Sequence, residues 1–126
     1  MYVSLFGYPV NLKFIGGYNM NKQEFEQLAL RNNETISPAI YDSIERFYMS
    51  NNDYHAYHGG IEEDKQSFVK RVFNGKVNTP KTITKKLIAE SIKSNRWCLQ
   101  GHNKQRLDEM DRQITEHYTY IYEYNM

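Results

Sequence analysis

The chain has 126 residues, is 40% hydrophobic and 25% charged, and carries a formal net charge of +1. That length suits one domain with a modest core and excludes the two-domain cleft of a large enzyme. A single cysteine, Cys98, excludes an internal disulfide and fits a reducing cytoplasm, and no apolar run approaches the roughly 18 residues of a membrane helix.

Residues 1–19, "MYVSLFGYPVNLKFIGGYN", mix aromatics, glycine and proline with one charge, Lys13. They read as a short hairpin or a disordered leader, and they lack the basic start and small-residue cleavage site of a secretory signal. Gly16-Gly17 ahead of Met20 is also what a purine-rich ribosome-binding site looks like when translated. On that reading residues 1–19 are a mis-annotated start, and the single helical domain is 20–126.

A helix start follows Met20. Asn21 is a good N-cap with Glu24 three residues on, and Met20 and Phe25 stand where a hydrophobic staple closes. This first helix ends near Arg31-Asn32-Asn33. Ser37-Pro38 opens a second, with Ile40, Ile44, Phe47 and Tyr48 at helical spacing, expected to stop around Ser50-Asn51-Asn52. A third is expected over about 61–73, with Glu62, Glu63 and Asp64 in its first turn, Phe68, Val69, Val72 and Phe73 inward, and Gly75 at the left-handed position beyond it. Thr79-Pro80 caps a fourth, about 80–96, and Gly101 closes the segment after it. The fifth, about 103–121, spaces Leu107, Met110, Ile114, Tyr118 and Ile121 by threes and fours, and its tail is read as helix although it also alternates with period two. The expected fold is all-α, a compact bundle of four to five short helices.

Charge is distributed unevenly. Residues 65–96 hold nine bases and one acid, Glu90, whereas the other residues hold seven bases and fourteen acids. On a wheel of the fourth helix, Ile83, Leu87, Ile88 and Ile92 take one side and Lys85, Lys86, Lys93 and Arg96 cluster opposite, around Ala89. With Lys76 and Lys81 from the preceding loop, that face could track a phosphate backbone. Thr79, Thr82 and Thr84 would add hydrogen bonds near the helix start, and Trp97 beside Asn95 could stack on a base. The competing reading is a solvated face, or one paired with the chain's own acids, such as Asp108, Glu109 and Asp111.

His55 and His58 form H-x₂-H, and Cys98 and His102 form C-x₃-H. Together they would make a Cys-His₃ zinc set if two separate non-helical links met. Isolated surface histidines and a packed cysteine explain the same letters. The sequence carries no nucleophile motif, phosphate-cradling glycine loop or redox pair, so no catalytic residue and no cofactor is assigned and a non-enzymatic role is expected.

The phrases "MNKQEFEQLALRNNE", "YDSIERFYMS", "FVKRVFNGKVNTPKTI", "NRWCLQG" and "RLDEMDRQITEHY" resemble small proteins of unassigned function carried by phages and mobile elements of gut Firmicutes, over about 20–118. The resemblance implies a binding role: contact with the element's nucleic acid, or blockade of a host defence complex in the manner of anti-CRISPR proteins. The expectation is therefore a cytoplasmic, non-membrane binding protein for nucleic acid or a nucleoprotein complex, engaged through Lys76, Lys81, Lys85, Lys86, Lys93, Arg96 and Trp97. A protein–protein inhibitor is the alternative, and a zinc-stabilised domain the third.

Overall fold

The structure is a computed structural model and describes residues 20–57, 62–73 and 78–125. The expectations for residues 1–19, His58, Gly75 and Lys76 lie outside the described residues. Five helices make up the fold: α1 (Lys22–Ala29), α2 (Pro38–Tyr57), α3 (Lys65–Phe73), α4 (Pro80–Cys98) and α5 (Lys104–Asn125). Among the described residues there is no strand, only an isolated parallel bridge between Leu30 and Asn78. The all-α bundle expected from the sequence is the fold observed, and no described helix is long and apolar enough to cross a membrane.

The caps stand where the sequence put them. The Glu24 N–H donates to Asn21 Oδ1 at 2.8 Å, and the Asn21 N–H donates to Glu24 Oε1 at 2.9 Å, closing a reciprocal capping box. Ser37 Oγ accepts the Ile40 N–H at 3.2 Å. Thr79 and Thr82 cap α4 reciprocally, with Pro80 in the first turn, where its missing N–H costs nothing.

Four boundaries differ from expectation. Helix α2 does not stop at Asn51-Asn52 but runs to Tyr57, because both asparagines find partners on neighbouring segments. Asn52 donates to the Glu63 carbonyl at 3.0 Å, and Asn51 Oδ1 accepts from Ser94 Oγ at 2.8 Å. Helix α3 begins at Lys65, after Glu62-Glu63-Asp64 rather than with them. Asp64 is its capping side chain, accepting the Ser67 N–H at 2.8 Å. Helix α4 also runs two residues past the expected end, to Cys98, and α5 continues to Asn125, so its period-two tail is helix.

The core gathers where α1, the first half of α2, α3 and the first half of α4 meet. Phe25, Ile40, Ile44, Phe68, Val69, Phe73, Ile83 and Leu87 are all buried there. Phe73 meets Phe25 edge-on at 5.4 Å and Phe68 at 6.3 Å between ring centres, geometries that add to simple area burial. Met20 belongs to this core, and its carbonyl accepts from Tyr41 Oη at 2.6 Å and from Lys65 Nζ at 3.1 Å. Burial is the main reason the Tyr41 hydroxyl is held well above its usual pKa, with the Glu45 carboxylate adding to it. Helix α5 contributes only half-buried side chains, Tyr118, Ile121 and Tyr122, to the core's flank. Towards the far ends of α4 and α2 the contacts become polar.

Candidate functional site

Helix α4 turns Ile83, Thr84, Leu87 and Ser91 inward. About half a turn round the helix, its solvent side carries Lys81, Thr82, Lys85, Ala89 and Lys93, all exposed. Lys81, Lys85 and Lys93 pair with no carboxylate among the described residues. Lys81 and Lys93 are twelve residues apart, about 18 Å along the axis at roughly 1.5 Å per residue. This is the cationic stripe around Ala89 that the helical wheel indicates.

The remaining expected site residues are placed differently. Arg96 Nε donates to Asp111 Oδ2 at 2.9 Å, and a terminal guanidinium nitrogen reaches Asp108 Oδ1 at 3.0 Å. Its charge therefore joins α4 to α5 while the side chain stays 41% exposed, which is the self-pairing alternative realised on this helix. Lys86 is half-buried, its Nζ 3.5 Å from the Phe73 carbonyl, and so leans on the end of α3. Trp97 is 49% exposed, and its ring packs 5.5 Å from that of His55 on α2. Thr84 is buried, its hydroxyl donating to the Pro80 carbonyl at 3.1 Å, and so is withdrawn from the stripe.

Other bases of the segment are likewise engaged in holding the fold. Arg71 bridges Glu63 at 2.7 Å and Glu90 at 2.8 Å, which joins the segment ahead of α3 with α4 and raises the guanidinium pKa, chiefly through the Glu63 hydrogen bonds. Lys65 is buried and paired with Glu45. Sequence position alone did not reveal these two pairings, since Glu90 lies nineteen residues beyond Arg71.

The premise of the zinc reading, that its ligands sit in two non-helical links, needs correction. His55 lies within α2 and Cys98 is the last residue of α4, with only His102 in the link before α5. Among the described residues, no three His, Cys, Asp or Glu side chains gather in an arrangement that could hold a metal ion.

The α4–α5 seam makes a pH prediction. The hydrogen bond from Lys104, reinforced by Arg96, holds the Asp108 carboxyl below the usual carboxylate range. A depressed folded-state pKa contributes stability above the unfolded value of about 4, lost as pH falls through the folded value. Thermal melts should therefore show a lower Tm at pH 3 than at pH 6. Arg96→Ala should reduce that difference and speed amide exchange along α5 while leaving α1 and α3 protected; an unchanged α5 would show that the ion pairs contribute nothing.

Comparison with protein-family models, curated proteins and solved structures finds no match to this chain. The site is accordingly read from its own side chains.

Proposed function

We propose that this chain is a non-catalytic binding protein that contacts nucleic-acid phosphates through the solvent face of α4. The observation that carries the reading is the division of labour among its cations. Arg71, Arg96 and Lys65 are committed to carboxylates of the fold, whereas Lys81, Lys85 and Lys93 stand exposed along one helix face. Cations held apart from acids on a straight, rigid element can exchange their counterions for phosphates. The origin proposed for the chain, a phage or mobile element, is compatible with either nucleic-acid or nucleoprotein targets.

Fluorescence-anisotropy titration of generic duplex DNA and of RNA over a salt series tests this. Engagement of three phosphates gives a log–log slope of about −3 on duplex DNA, with little dependence on sequence. No binding at about 50 mM salt would end the proposal.

A second reading is favoured by a different surface. Tyr120 and Tyr124 on α5 are 60% and 71% exposed, with ring centres 4.6 Å apart. Paired tyrosines present rigid contact area of the kind protein interfaces use, as an inhibitor of a host complex would. Tyr120→Ala with Tyr124→Ala would then abolish capture of a host protein and leave the salt series unchanged.

A further inference from the structure

Lys81, Lys85, Ala89, Lys93 and Trp97 stand four residues apart on α4, and all five are exposed. Residues at that spacing line up as one continuous ridge on a helix surface. From Lys81 to Trp97 the ridge covers about 24 Å of helix axis, in steps of about 6 Å. Those steps are comparable to the distance between neighbouring phosphates of a nucleic-acid strand. Ala89, at the middle, is too short to obstruct a backbone lying along the ridge.

The ridge ends on a ring, not on a charge. Trp97 is 49% exposed, and its ring lies 5.5 Å from that of His55 on α2, tilted by 32°. The fold thus already restrains a ring that a ligand would otherwise have to order. Arg96, the residue before it, turns to Asp108 and Asp111. A cationic track for a backbone and an aromatic platform for a base are the two parts of a single-strand site. A duplex can use only the first, because its bases are already stacked on one another.

We infer that the ligand of this face is a single-stranded nucleic acid, its phosphates on Lys81, Lys85 and Lys93 and one unpaired base stacked on Trp97. The inference rests on the phosphate-binding reading of α4 and adds to it the strandedness of the ligand. Stacking and phosphate contact are both indifferent to the sugar and tolerant of sequence, so DNA and RNA strands should bind alike.

Trp97 is the chain's one tryptophan, so tryptophan emission reports this ring alone. The full chain is titrated with oligothymidylate, oligouridylate and a DNA duplex of equal length, following probe anisotropy and tryptophan emission together. Both single strands should quench the emission, whereas the duplex should bind without quenching it. At about 150 mM salt the single strands should bind roughly tenfold more tightly than the duplex. That preference should widen with salt, since three phosphates give a slope of about −2 on a single strand against about −3 on a duplex. Trp97→Ala should weaken the single strands about tenfold and leave duplex affinity unchanged, and Trp97→Phe should keep most of the single-strand affinity.

Equal affinity for single strands and duplex, without quenching, would overturn the inference and leave the phosphate-binding reading standing. No binding of either form would overturn both. An equal loss on the duplex in Trp97→Ala would overturn the inference by showing that the ring acts through the fold of α4. Phosphatidylglycerol vesicles that shift the emission to the blue, while single strands leave it unchanged, would overturn it in favour of an anionic membrane surface.

Discussion

Asn78→Asp will destabilise this protein more than Asn78→Leu, although aspartate preserves the shape of the side chain and leucine does not. Asn78 is 2% exposed, and its Nδ2 donates both to the Ala29 carbonyl at 3.1 Å and to the Phe73 carbonyl. Those carbonyls end α1 and α3, where a helix leaves acceptors without intrahelical partners. The Asn78 carbonyl in turn accepts the Arg31 N–H at 3.2 Å, so one residue ties together two helix ends and the approach to α4. Leucine forfeits both side-chain bonds, leaving the buried Ala29 carbonyl unpaired and the Phe73 carbonyl with only the long 3.5 Å contact from Lys86, at about 1–3 kcal/mol each. Against a total stability of about 5–15 kcal/mol, that lowers Tm by on the order of 10–20 °C. The aspartate variant goes further, because its carboxylate cannot donate and sets a buried negative charge against two carbonyl oxygens. Burial raises the pKa of the introduced carboxyl, so its penalty is full at neutral pH and eases as pH falls through that raised value. Urea titrations of both variants at pH 7 and pH 5 measure this. Equal stability of parent and leucine variant would show that Asn78 is not the tie it looks like.

Under the proposed phosphate-binding role of α4, replacing Lys81, Lys85 and Lys93 together with alanine will remove nucleic-acid binding and leave the fold intact. All three are exposed and outside every ion pair among the described residues, and alanine is the best helix former, so α4 loses no intrinsic stability. At about 50 mM salt each released counterion is worth roughly tenfold in affinity, so the triple variant loses on the order of a thousandfold on duplex DNA, and the salt slope falls by about 3. The loss should be the same for every sequence, because phosphate contacts position without reading bases. Arg96→Ala should scarcely change affinity, because Arg96 already faces Asp108 and Asp111. If Arg96→Ala costs as much as the triple variant, the contact surface lies at the α4–α5 seam.

Local signals carried most of the fold. The cap residues Asn21, Ser37 and Thr79 and the apolar spacing of Phe25, Ile40, Phe68, Ile83 and Leu87 name helix starts and buried faces, because caps and periodicity act within a few residues. The largest error has a tertiary cause. Asn51 and Asn52 look like a helix end until Asn52 pairs with Glu63 and Asn51 with Ser94 across the chain. Such partners are set by tertiary contact, which single-segment reading does not contain. The same limit applies to the site. The lysine stripe follows from helical geometry alone, but whether a cation faces solvent or a carboxylate depends on where α5 and Glu90 come to lie. The burial of Ser91, whose hydroxyl has no hydrogen-bond partner among the described residues, was missed for a different reason. Ser91 interrupts the run from Ile83 through Leu87 to Cys98, and that polar residue on an apolar stripe was a signal available in the sequence.

The cations that join separate helices are two arginines, Arg71 and Arg96, and one buried lysine, Lys65, whereas the exposed stripe on α4 consists of lysines. Guanidinium groups resist acylation and stay charged, while an accessible ammonium loses its charge when acetylated. The molecule's joints and its outward charge thus answer to different chemistry. An acetyltransferase acting on the three stripe lysines would erase the field of α4 while the inter-helix ion pairs persisted, taking the formal net charge from +1 to 1 − 3 = −2 in a domain of the same shape.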